Sequence, residues 1–299
     1  MNAKVTVAYL IVVLIWSTTP LGIVWSSETV HPSMAVLLRM LIAAVLGTIV
    51  IMVGRIPFPV NKTAIKLYVY SAFGIFGGMS MAYLAARQLS SGIISLVFGL
   101  SPLISAVLAR RLLNEPAFTI LRKIALAVAL VGLAIVCSEN LSLNEDSWLG
   151  LIFILLAVFF FSLSGVLVKS VQITINPLST TVGALALTLP CFILVWWLMD
   201  GTLPIEQWSL RSIYSILYLG VFGSLIGFVA YYFILQKLAA STVALVTLMT
   251  PVIALAIGAV FNQEPITEIL IVGAILVMIG LALFLYGDRI NRHIARLRL

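Results

Sequence analysis

Charged residues are scarce in this sequence: Asp, Glu, Lys and Arg make up 9% of 299 residues, whereas 63% are hydrophobic. A soluble domain carries about a quarter of its residues charged, so the composition excludes that class and leaves an integral membrane protein. No Asp or Glu falls in the interior of any long apolar run. That removes the usual intramembrane carrier of a coupling proton or sodium ion, and the usual partner of a lipophilic cation. Cysteine is also sparse: Cys137 and Cys191 both sit in apolar runs, without disulfide or metal spacing. The two histidines, His31 and His293, have no acidic doublet within reach. No metal or cofactor is expected, and a membrane enzyme, which needs a reactive constellation, is disfavoured.

Long apolar runs are abundant. A spanning helix needs about 20 mostly apolar residues, and ten such runs lie near 5–26, 33–53, 64–86, 91–113, 118–138, 147–169, 177–199, 211–236, 240–262 and 266–286. They are continuous rather than alternating, which argues against strands. The first lacks a small-residue cleavage site, so it is expected to stay as a helix rather than leave as a signal peptide. With the N-terminus cytoplasmic, fourteen Lys and Arg fall at inner ends and loops, and only Arg87 and Arg211 fall outside. The positive-inside rule therefore places both termini in the cytoplasm. The basic end, residues 289–299, reads as a contact for anionic lipid rather than nucleic acid.

The ten runs are not independent. The stretch AYLAARQLSSGIISLVFGLSPLISAVLARRLLNEP from Ala82 aligns without a gap with YYFILQKLAASTVALVTLMTPVIALAIGAVFNQEP from Tyr231. Tyr83 meets Tyr232, Pro102 meets Pro251, and Glu115-Pro116 meets Glu264-Pro265; upstream, Phe73, Gly74 and Gly78 meet Phe222, Gly223 and Gly227. Residues 1–140 and 141–288 are thus two copies of one five-helix unit. Five being odd, the second copy enters from the opposite face. The expected fold is an all-α integral membrane protein, its ten transmembrane helices forming two inverted five-helix repeats around a central cavity, as in many secondary transporters.

The two-repeat layout, the Glu-Pro pairs closing helices 4 and 9, the prolines within those helices and the Trp16-Ser17 opening resemble the EamA-type exporters of the drug/metabolite transporter superfamily. The resemblance covers essentially the whole chain. It implies export of amino acids or related metabolites across the bacterial inner membrane, through a cavity lined mainly by helices 1, 3, 4, 6, 8 and 9. It also locates departures. Ser17 stands where the family's helix 1 often has Gly, and Val24 where it often has Lys; the second copy has Phe161 for the Trp and keeps Lys169. Arg39, seven residues after Pro32, resembles a frequent arginine of the family, but the second copy has Ala184 there. Small multidrug-resistance relatives use a Glu in helix 1, and this helix has none.

The stretch LIWSTTPLG, residues 14–22, puts a proline and three hydroxyls inside an apolar run. A carbonyl freed by proline in lipid must be taken up by hydroxyls, a neighbouring helix or water. The stretch is therefore expected to face a wet cavity; the plainer reading is a packing kink with Thr18 and Thr19 bonding back to their own backbone. The candidate cavity lining is Trp16, Ser17, Thr19, Met79, Tyr83, Phe98, Ser101, Phe161, Ser162, Phe228, Tyr231, Tyr232, Thr247 and Met249. Aromatics with isolated hydroxyls suit an amphipathic small molecule. Pro20, Pro102 and Pro251 are candidate hinges. Gly74, Gly78, Gly223 and Gly227 read chiefly as close-packing positions. Arg39 lies about 10 Å into helix 2 at ~1.5 Å per residue, where it must snorkel, pair with a polar group or meet a substrate carboxylate. Lys169 reads as an ordinary inner-face charge or an inner-gate residue.

The expected activity is export of neutral or aromatic amino acids or related small metabolites by alternating access, facilitative because no acid in the spans carries a proton, with one chain sufficing. The alternatives are a proton-coupled exporter of drugs or of nucleoside- or sugar-type metabolites, and a channel, which would need no inverted repeat.

Overall fold

The computed structural model describes residues 3–113, 118–143, 147–171, 173–238, 243 and 245–297. Glu115, Pro116, Glu145 and Asp146 lie outside them. Among the described residues all regular structure is helical. In chain order the long helices are α1 (Ala3–Ser26), α2 (Pro32–Val53), α3 (Lys62–Ala85), α4 (Ser91–Leu112), α5 (Ile120–Leu143), α6 (Ser147–Ser170), α7 (Pro177–Met199), α8 (Leu210–Lys237), α9 (Leu245–Asn262) and α10 (Glu268–Leu297). The first eight contain stretches long and apolar enough to cross a membrane; the described apolar parts of α9 and α10, Met249–Asn262 and Glu268–Phe284, are shorter.

Polar gaps between the runs become helix starts. The His31 ring accepts from Ser33 N–H and Asn176 Oδ1 accepts from Leu178 N–H at 2.9 Å, each directly before a proline in the first turn. Asn61 Oδ1 accepts from Ala64 N–H at 2.9 Å to start α3, and Ser209 Oγ accepts from Ser212 N–H at 3.2 Å to start α8. These caps satisfy donors that the helix itself leaves open, and proline there removes only a donor that had no partner.

Large apolar side chains face outward along the bundle, among them Leu14, Ile49, Trp197 and Val260. In water such a surface would drive aggregation; in lipid it is the natural exterior. The protein is a multi-pass membrane protein on these grounds. Between helices, small residues set the approach. A Cβ on Gly132 of α5 would stand 2.7 Å from Gly273 O, and one on Gly280 of α10 would stand 2.6 Å from Ala129 N. Glycine thus brings the two backbones into contact, as expected where lipid supplies no hydrophobic force between helices.

The pairing of helices repeats between the halves. Helix α1 packs on α8 and α9 as α6 packs on α3 and α4; α2 packs on α8 as α7 packs on α3; α2 meets α7, and α5 meets α10. Helices α3 and α8 each contain a π turn, at Gly74–Gly78 and Leu219–Ile226, which overlap in the internal alignment at 74–77 and 223–226. At the first, Gly74 N–H donates to Ser71 O, and the Tyr70 carbonyl is taken by Ser164 Oγ of α6 at 2.7 Å.

A candidate solute cavity

In α1, Ser17 Oγ donates to Val13 O at 2.7 Å, Thr19 Oγ1 to Ile15 O at 2.7 Å and Thr18 Oγ1 to Ile15 O at 2.9 Å. The hydroxyls before Pro20 therefore do bond back to the preceding turn. The same turn also faces a void, because Trp16, Thr19 and Pro20 line a cavity of about 450 Å³ in the bundle interior. Back-bonding occupies the hydroxyl protons, while the ring and the proline face the space.

The cavity wall joins both halves of the chain. Met79, Phe98, Ser101 and Pro102 come from α3 and α4; Phe161, Ser162, Phe228, Tyr231, Tyr232 and Thr247 come from α6, α8 and α9. Trp16 and Tyr231 meet at a tilt with ring centroids 5.1 Å apart, as do Tyr231 and Tyr232 at 5.4 Å and Phe98 and Phe161 at 5.7 Å. Ser162 Oγ donates to Ser101 O at 3.2 Å, tying α6 to α4. The volume falls in the range of small-molecule sites, about 300–1,000 Å³. Its chemistry is aromatic with scattered hydroxyls.

Three of the candidate lining residues are displaced from this wall. Ser17 is buried off this wall, one residue and thus about 100° round α1 from Trp16. Tyr83 lies one turn beyond Met79 and is fully buried, with Ser26 Oγ 3.5 Å from its hydroxyl. Met249 is two residues past Thr247 and points outward, 45% exposed. The hinge candidates also differ from expectation. Pro102 is not mid-helix: α4 breaks at Gly99–Leu100, and Pro102 sits in the first turn of the segment Ser101–Leu112, where it removes no helical bond. Pro251 lies within the uninterrupted helix α9, off the cavity wall, its ring 3.3 Å from where a Cβ on Gly99 would be.

Several wall residues carried no signal of their own in the sequence: Ser71, Ser95, Ser105, Ser164 and Thr250 are single hydroxyls in apolar runs, and Arg122 reads as an ordinary inner-face charge. The packing glycines prove specific. Gly74 and Gly78 admit Ser164 and the Phe161 ring of α6, whereas Gly223 admits the Arg39 guanidinium.

The cavity has a polar end. Its wall reaches Leu113 and Lys169 at the C-terminal ends of α4 and α6, Arg122 at the start of α5 and Val243 just before α9. At the opposite end Glu264, in the loop after α9, caps the start of α4. Its carboxylate accepts from Ser91 N–H at 3.0 Å, Gly92 N–H at 3.1 Å and Ser91 Oγ–H at 2.9 Å. Asn262 Nδ2 donates to the same carboxylate at 3.0 Å, and Trp25 Nε1 donates to Asn262 Oδ1 at 2.8 Å. One acid thus fastens α1, α4 and α9 together.

Comparison with known proteins fits this architecture. The model of the EamA-like transporter family matches twice, over residues 4–138 and 148–286. The chain belongs to the EamA-like transporter family. Among relatives of this EamA-like chain, an "Uncharacterized transporter" of Archaeoglobus fulgidus is 25% identical over 280 residues, covering 90% of this chain and 94% of that protein. "Uncharacterized transporter YoaV" of Bacillus subtilis is 24% identical over 285 residues, covering 93% and 95%. A Salmonella typhimurium protein named "Probable amino-acid metabolite efflux pump" is 25% identical over 248 residues, covering 79% and 82%. A solved crystal structure shares the fold with a TM-score of 0.65 at 18% identity, covering 95% of this chain and 98% of that one.

Proposed function

We propose that this protein is a secondary transporter that exports neutral or aromatic amino acids, or related small metabolites, across the bacterial cytoplasmic membrane by alternating access. The observation that carries the reading is the cavity itself, walled by both sequence repeats; in this reading the Glu264 cap at the head of α4 closes its far end. The name of the Salmonella relative agrees with it. Residues 1–140 and 141–288 act as two inverted five-helix repeats with ten spans, followed by the basic segment 289–299. The exchange-symmetric helix pairing and the matched π turns support that division. With both termini cytoplasmic, the cavity opens inward and Glu264 lies on the outer side. The aromatic walls take the solute's apolar body, while hydroxyls and helix ends near Pro20 and Pro102 meet its polar end. Pro20, Pro102 and Pro251 mark the turns that yield as the halves rock, and Lys169 stands at the inner gate. One chain suffices.

Two measurements test this. Proteoliposomes holding unlabelled phenylalanine are expected to show saturable counterflow of labelled phenylalanine, reaching equilibrium and no further without a gradient. Concentrative uptake under an imposed pH gradient, abolished by a protonophore, would replace facilitated transport with proton coupling; non-saturable flux would indicate a pore. For topology, a cysteine at Glu206 in a background lacking Cys137 and Cys191 is expected to react with an impermeant maleimide from outside intact cells. Reaction only after permeabilisation would reverse the orientation.

A further inference from the structure

Arg39 is buried completely in α2. Its Nε–H donates to Ser224 Oγ of α8 at 2.7 Å, whereas neither terminal nitrogen has an acceptor among the described residues. The side chain belongs to the cavity wall, and no Asp or Glu does among the described lining residues. The ion pair that the described structure forms, Arg211 with Glu28 at 2.7 Å, lies at the protein's periphery. A guanidinium held only for structure would spend its donors on carbonyls or an acid, since a charge near the centre of a span costs about 3 kcal/mol by insertion scales. Here one hydrogen bond through Nε holds the group and leaves both terminal nitrogens without an acceptor among the described residues.

Space has been left for the guanidinium fork. One terminal nitrogen stands 3.0 Å from where a Cβ on Gly223 would be, so any larger residue there would crowd it. The second half offers no twin, because Ala184 occupies the matching place in α7. A planar fork with two parallel donors matches a carboxylate.

We infer that Arg39 is the receptor for a carboxylate on the solute. Resting on the transport reading, this assigns the solute class: small carboxylic acids with an apolar body, free amino acids and their deaminated or N-acylated forms alike, to the exclusion of the corresponding amines. The terminal nitrogens are covered in this structure. The carboxylate therefore meets them as the wall closes around the solute, and the buried charge gains its partner in the occluded form.

The test uses the purified full-length protein and three probes of one shape: 3-phenylpropionate, 3-phenylpropanamide and 3-phenylpropylamine. At millimolar concentration the acid is expected to raise the melting temperature, the amide and amine to leave it unchanged. Arg39→Gln should weaken binding of the acid at least about a hundredfold, as loss of a buried charge partner does. Ser224→Ala, which keeps the charge but frees its orientation, should weaken it about tenfold, the equivalent of one charge-assisted hydrogen bond. Equal shifts from acid and amine, no shift from the acid, or undiminished acid binding by a folded Ser224→Ala or Arg39→Gln protein would each overturn the assignment. Counterflow of phenylpropionate separates the two claims. Arg39-dependent binding without exchange would sink transport and keep the carboxylate site; equal exchange of acid and amine would do the reverse.

Discussion

Alanine at Glu264 is expected to release the closed end of the cavity. The carboxylate accepts from Ser91 and Gly92 N–H, from the Ser91 hydroxyl and from Asn262, so its removal leaves two amide donors at the head of α4 without a partner. A hydrogen bond to a charged group contributes about 1.5–3 kcal/mol. Because the side chain is partly exposed and water replaces some of these bonds, the net loss is about 3 kcal/mol. Two readouts follow. The melting temperature should fall by several degrees. A cysteine replacing Ser95, buried in the wall one turn below the cap, should react at least about tenfold faster with an impermeant maleimide applied from the Glu264 side, since 1.4 kcal/mol of lost closure is a factor of ten. Unchanged labelling would mean that the carboxylate caps a helix without holding the gate. Glu264→Gln keeps one carbonyl acceptor but no charge, and should fall between.

The second large effect is expected at the α5–α10 contact. Valine at Gly280 would drive its side chain into the Ala129 backbone, which cannot move aside as a flexible side chain would. The helices must separate, losing the reciprocal contacts at Gly132 and Gly273. Overpacking of this kind costs about 1–3 kcal/mol, and backbone against backbone belongs at the upper end. The measurable result is a lower melting temperature and aggregation on size exclusion in mild detergent. Alanine at the neighbouring, outward-facing Ile279 is the control and should change neither. A Gly280→Val protein as stable as the parent would show that the pair tolerates separation.

The sequence carried the periodic features of this molecule and missed the non-local ones. Apolar runs and the 149-residue offset point to each helix and its counterpart because they are local or self-similar signals. Cavity residues were legible where chemistry was unusual: Trp16 and Pro20 in one turn, or Tyr231-Tyr232 in another. They failed where helical phase or depth decided. Ser17 and Met249 carry suitable side chains turned off the cavity wall, and Tyr83 has the right face one turn too far along. No local pattern brings Ser224 to Arg39 across 185 residues, nor marks Gly99 rather than Pro102 as the break in α4.

The cap on α4 also has an order in time. Glu264 and Ser91 are separated by 173 residues, and a ribosome adding about 5–20 residues per second needs on the order of ten seconds or more to produce one after the other. During that interval the head of α4 is already made, yet the carboxylate that will satisfy Ser91 and Gly92 does not exist. Water or lipid head groups must serve meanwhile. The sealed end of the cavity is therefore among the last parts of the protein to be completed during biosynthesis, and a chain truncated before Glu264 would be born with that end unlatched.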